Sequence, residues 1–173
     1  ACATDVMGNV YMAGVSQSST GIASGGHQNT LGGSKDCFLV KFNGAGVRQW
    51  GTYYGGGSGV ANGGSCCTDN SGNVYLTGGT SYTAGIASAG YQNTIAGGWM
   101  DAFLVKFNSS GVRLWATYYG GNISEHGNSC STDALNNVYM AGVVSSTSGI
   151  ASGGHQNTYG GSQDAFLVKF DSS

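Results

Sequence analysis

The stretch "DAFLVKFNSSGVRLWATYYGG", residues 101–121, decides how the rest of the chain is read. It holds two strand-like runs, Ala102–Phe107 and Val112–Tyr119, joined by "NSSG" at 108–111, a segment whose Asn and Gly suit a tight antiparallel turn. "FLVKF" and "LWATYY" are almost continuously apolar or aromatic, where a sheet with one wet face would alternate. Both faces of this hairpin must therefore be covered. A lone small sheet cannot cover itself, so a partner layer is required.

The same letters recur. "DCFLVKF" stands at 36–42 and "DAFLVKF" again at 164–170, and "GVRQWGTYYGG" at 46–56 matches "GVRLWATYYGG" at 111–121. Upstream, "GNVYMAG", "GNVYLTG" and "NNVYMAG" begin at residues 8, 72 and 136, a spacing of 64, each preceded by a small-residue stretch, "ACATD", "SCCTD" or "SCSTD". One cycle offers four short strands: Ser65–Thr68, Val74–Thr77, Ala102–Phe107 and Val112–Tyr119, with "DNSG" at 69–72 turning the first into the second. The predicted fold class is all-β. Blades of four antiparallel strands stacked face to face, as in a β-propeller, cover both faces of every sheet.

Three repeats follow, over 1–57, 58–121 and 122–173, the last lacking its outer strand. Propellers close with about 4–8 blades, so the expected ring is incomplete with this chain alone. The expected partners are accordingly other propeller repeats, of the same or a second chain, because open blade faces and a bare strand edge invite association. There is no initiator Met, and the chain reads as a processed or excised piece of something longer.

These residues resemble a known family. "TDNSGNVYLTGGTS", "DAFLVKF" and "TYYGG" are similar to the bacterial SBBP-type β-propeller repeat, with its D-x-x-G-N-V-Y-V-x-G stretch, D-A-F-V-x-K segment and T-Y-x-G-G ending. The resemblance spans essentially the whole chain in three copies. It departs in the long loop, where the family's usual Phe-Pro is replaced by "GIASGG". It implies a propeller on an exported bacterial protein, extracellular or at the cell surface, and the role expected of this chain is structural or one of protein interaction. It implies no defined activity.

Composition narrows the partners. The 173 residues include 33 Gly, no Pro and fourteen charged residues, with a net charge of −2 and no Lys/Arg cluster. Nucleic acid and anionic membrane therefore lack an electrostatic footprint, and no apolar run is long enough to insert into a bilayer. Eleven of the fourteen charges recur at equivalent positions: Asp5, Asp69 and Asp133; Asp36, Asp101 and Asp164; Lys41, Lys106 and Lys169; Arg48 and Arg113. A catalytic site is normally single and asymmetric, so these read as turn caps and blade-to-blade pairs. Glu125 and His126 break the pattern, but neighbours on a strand point to opposite faces.

No hydrolase, metalloprotease or phosphate-loop motif occurs, and the acidic ligands are too sparse for a calcium loop. An enzyme, a cofactor and a metal are not expected. The five cysteines contain no C-x-x-C pair. Cys2, Cys66 and Cys130 are equivalent and read as small apolar residues on the innermost strand, a ring of metal thiolates being the alternative, while Cys37 and Cys67 replace other small residues.

The candidate site lies in the long loop between the second and third strands, Val15–Lys35 in the first copy. "GIASGGHQNT" at 21–30 returns unchanged at 149–158, with "GIASAGYQNT" at 85–94. Two readings are open. The loop is part of each blade, with Ile22, Ile86 and Ile150 as pegs and its amides satisfying backbone groups. Alternatively it is a repeated shallow carbohydrate site, adhesin-like, with a ring beside amide hydrogen-bonders: His27, Gln28, Asn29; Tyr91, Gln92, Asn93; His155, Gln156, Asn157.

Overall fold

The structure is a computed structural model that describes residues 1–172. It is all-β, and its described residues contain no helix, hence none able to cross a membrane. Eleven strands form three antiparallel sheets, each laid out in chain order. The first holds β1 (Cys2–Thr4), β2 (Val10–Ser16), β3 (Asp36–Phe42) and β4 (Arg48–Tyr54). The second holds β5 (Ala61–Thr68), β6 (Val74–Thr80), β7 (Asp101–Phe107) and β8 (Arg113–Tyr119). The third has three strands: β9 (Glu125–Thr132), β10 (Val138–Val144) and β11 (Asp164–Phe170).

The repeat extends to its irregularities. β3 and β4 slip register between Lys41 and Phe42, and β7 and β8 slip at the equivalent Lys106 and Phe107. The first strand of the second repeat runs from Ala61, four residues earlier than the Ser65 start expected from sequence. Its Gly63-Gly64 looks like a strand breaker, yet the register shift between Gly63 and Ser65 absorbs the extra residue as a bulge.

The first turn of each repeat is tied by one carboxylate. Asp69 Oδ1 accepts from the amides of Ser71 and Asn73, each at 2.9 Å, while Oδ2 accepts from Asn73 Nδ2 at 2.8 Å and from the Tyr75 hydroxyl at 3.1 Å. Asp5 and Asp133 repeat the arrangement with Tyr11 and Tyr139. Aspartate suits this because two oxygens can satisfy a whole turn at once.

The sheets stack face to face. One apolar cluster joins Tyr11, Leu39, Trp50 and Tyr54 of the first sheet to Cys66, Val74, Phe103 and Phe107 of the second. Another joins Tyr75, Leu104 and Tyr119 of the second to Cys130, Val138, Met140 and Phe166 of the third. The second sheet is thus covered on both faces, and every residue of β6 and β7 is buried, polar Thr77, Thr80, Asp101 and Lys106 included, as the nearly continuous apolar run of β7 requires. Cys66 and Cys130 are buried as small apolar residues, whereas Cys2, on the outward face of the first sheet, is exposed.

Candidate functional site

In the first two repeats the long loop folds back along the outer edge of its own repeat's fourth strand. Ser24 and Gly51 exchange both backbone hydrogen bonds at 2.9 Å, and the Tyr53 amide donates to Gln28 O. In the second repeat Ser88 pairs with Ala116 and the Tyr118 amide donates to Gln92 O. The loop therefore blankets an edge that would otherwise be bare. Glycine is needed for the approach: a Cβ on Gly90 would strike the Ala116 carbonyl oxygen, and one on Gly26 the Gly51 carbonyl oxygen.

The amides of the candidate site are used inside this arrangement. Gln28 Nε2 donates to Thr30 O at 2.9 Å and to Asp36 Oδ2 at 3.0 Å, while its Oε1 accepts from the Gly55 amide. Gln92 does the same with Thr94 O, Asp101 Oδ2 and the Gly120 amide. The Asn29, Asn93 and Asn157 side chains close local turns onto Gly26, Gly90 and Gly154. In the third repeat, where no fourth strand is described, Gln156 keeps only its bond to Thr158 O.

The loop also locks one repeat to the next. The Tyr54 hydroxyl, from the first sheet, donates to Ile86 O at 2.5 Å, and Arg113 Nη1 of the second repeat donates to the same carbonyl at 3.3 Å. Tyr119 repeats the reach to Ile150 O at 2.5 Å. Of the three expected pegs, Ile86 is fully buried, while Ile22 and Ile150 are half-buried. The difference follows from what packs there: at Ile86 the preceding repeat's Tyr54 and its own repeat's Arg113 meet at one carbonyl, whereas among the described residues no preceding repeat reaches Ile22 and no fourth strand flanks Ile150.

The rings at the equivalent loop position remain open to solvent. His27 lies 6.2 Å from both Tyr54 and Phe107, Tyr91 is 77% exposed at 6.5 Å from Tyr119, and His155 is exposed. Partial burial and the nearby Arg113 guanidinium hold the His27 imidazole below its ordinary pKa, so it is neutral at pH 7. The three rings do not converge, because each is carried by the loop of its own sheet.

A second site-like feature was not legible as a motif. A cleft of about 290 Å³ is lined by Tyr91, Trp115, Thr117, Lys169, Phe170 and Asp171, beside the buried indole Nε1 of Trp115, which has no hydrogen-bond partner among the described residues. At the first junction the equivalent Trp50 Nε1 donates to Ser109 O at 3.0 Å and packs on Gly111, so the turn of the next repeat fills that space.

The Glu125 and His126 side chains do not work together. Glu125 is buried and accepts from the Gly121 and Ser146 amides, at 2.8 and 3.1 Å, whereas His126 pairs with Asn128. Among the described residues no three His, Cys, Asp or Glu side chains come together as metal ligands. Lys41 and Lys106 tie neighbouring repeats through the carbonyls of Ser109 and Ser172.

Comparison with protein-family models and with curated proteins returns no match.

Proposed function

We propose that the chain is a non-enzymatic β-propeller module of the SBBP type, exported to the bacterial cell surface, whose role is to dock further repeats of its own kind. The observation that carries this reading is a mismatch between equivalent positions. Val74 and Leu76 are fully buried by the first sheet, while Val10 and Met12, their counterparts on the first sheet's outward face, are 38% and 43% exposed. On the opposite end Leu167 is 73% exposed where Leu39 and Leu104 are fully buried. The two outward faces repeat the two halves of an interface already used twice inside the molecule. Such complementary faces associate head to tail.

Native mass spectrometry of the chain and its variants tests this. The chain should form assemblies of two or more copies, Met12→Asp and Leu167→Asp should each reduce them, and mixing the two variants should restore a dimer through the one intact face on each. A chain that stays monomeric at high concentration, or variants that fail to rescue one another, would overturn the proposal.

A carbohydrate-binding role is the second reading, and the exposure of Tyr91 beside the Trp115 cleft favours it. It expects retention on a glycan array that Tyr91→Ala abolishes at unchanged thermal stability. Absence of retention by the parent chain would remove it.

A further inference from the structure

The innermost strands of the second and third sheets, β5 and β9, run side by side in the same direction. They are pinned at two levels. A Cβ on Gly64 would strike the Gly127 carbonyl oxygen and lie 3.2 Å from the Asn128 Cα, so the backbones touch there. Four residues on, the Thr132 hydroxyl donates to Thr68 O at 2.7 Å. Between these levels Cys67 and Cys130 turn toward each other. Cys66 belongs to the cluster shared with the first sheet, so Cys67, the next residue on the strand, faces the third. Cys130 packs in the cluster shared with the second sheet, and Cys67 is packed against that cluster.

We infer that Cys67 and Cys130 form a site for a disulfide that staples the second repeat to the third. The first junction has Ala3 opposite Cys66 and no such pair, so the staple is confined to one junction. A disulfide spans Cα atoms roughly 4.4–6.8 Å apart, and the Gly64 contact with Asn128 on one side and the Thr132–Thr68 bond on the other hold the two backbones close on both sides of the pair. The Cys130 thiol beside it and burial push the Cys67 thiol up, and both cysteines are free thiols in this structure.

Closure needs a disulfide-bearing oxidant, such as oxidised glutathione. At mildly alkaline pH the minor thiolate fraction of the half-buried Cys67 attacks the carrier, having given its proton to solvent, and expels one thiolate to give a mixed disulfide. Cys130 sulfur then attacks Cys67 sulfur and expels the second. One S–S bond forms as one breaks, two electrons reduce the carrier, and the two cysteine protons end on its two thiols.

Tryptic cleavage makes the link readable. Cys2, Cys37 and Cys130 fall on separate peptides, with Cys66 and Cys67 together on a fourth. The folded chain, incubated with oxidised glutathione, alkylated and digested, should give a peptide joining Gln49–Lys106 to Leu114–Lys169. Its Tm should rise by about 10 °C, reversibly on reduction, as expected for closing a loop of this length. Cys67→Ser, which copies Ser131, should lose both effects, and Cys66→Ser should keep both. A link that survives Cys67→Ser, a glutathione adduct that never resolves, or a folded chain that retains all five thiols would overturn the inference.

Discussion

The two sheet junctions are built from nearly the same letters, yet one is satisfied and the other is not. At the first, the buried Asp36 carboxylate accepts from the Tyr82 hydroxyl at 2.8 Å, from Gln28 Nε2 at 3.0 Å and from the Gly32 amide at 2.7 Å. At the second, Asp101 keeps the Gln92 and Ala96 donors, but Tyr82 has become Ser146, and Asp101 Oδ1 is buried with no partner among the described residues. Ala61 has also become Glu125, a second buried carboxylate. Burial, aided by the Glu125 charge, pushes the Asp101 carboxyl up to about 6 despite its two donors. Copying a strand does not copy its environment, because what satisfies a buried charge comes from the neighbouring repeat.

The largest expected difference between the junctions lies in their aromatic bridges. Tyr54 is buried among Phe103 and Phe107, with centroids 5.6 and 5.7 Å away, and its hydroxyl holds the next loop. Tyr54→Ala should cost about 4 kcal/mol, and Tyr119→Ala about 3 because the third sheet leaves that ring more open, as measured by urea denaturation. Equal losses would break the proposed asymmetry.

The carboxylates should respond with opposite signs. Asp36→Asn replaces an acceptor of three hydrogen bonds and should destabilise the chain by about 2 kcal/mol. Asp101→Asn removes a strained buried charge and should stabilise it by up to about 3 kcal/mol at neutral pH. The folded-state pKa of Asp101 lies above the value of 3.8 for an unperturbed carboxyl, so the folded protein binds the extra proton between those limits. Its contribution to stability therefore rises as pH falls from about 6 toward 4, and Asp101→Asn should remove that rise. Denaturation midpoints of parent and variant across this window check the sign. Ser146→Tyr with Glu125→Ala, which rebuilds the first junction at the second, should recover about 1–2 kcal/mol.

The smallest contrast concerns the tryptophans. Trp50→Phe loses the bond to Ser109 O and should cost about 1 kcal/mol, while Trp115→Phe removes an indole with no partner among the described residues and should change stability by less. Thermal denaturation of the two variants resolves the ordering.

Much of this was readable beforehand. The 64-residue period, the strand pairs and the double-faced burial follow from "FLVKF", "LWATYY" and the recurring turn residues, because strand pairing and turn geometry are set by local chemistry. Asp69 and its equivalents were legible as turn caps for the same reason. The early start of β5 was not, since a bulge depends on what the adjacent sheet tolerates at Gly64.

The sequence alone determined that three near-identical repeats, two of four strands and a third lacking its outer strand, must stack, as repeated apolar runs cannot be covered otherwise. Only the tertiary structure decided that the long loop lies along its own fourth strand and receives the preceding repeat's tyrosine, that Gln28 and Gln92 serve the loop, and that Asp101 and Trp115 lack partners among the described residues. The reason is one of range: periodicity and turns are encoded within a few residues, whereas satisfaction of a buried polar atom depends on groups brought to it from another repeat.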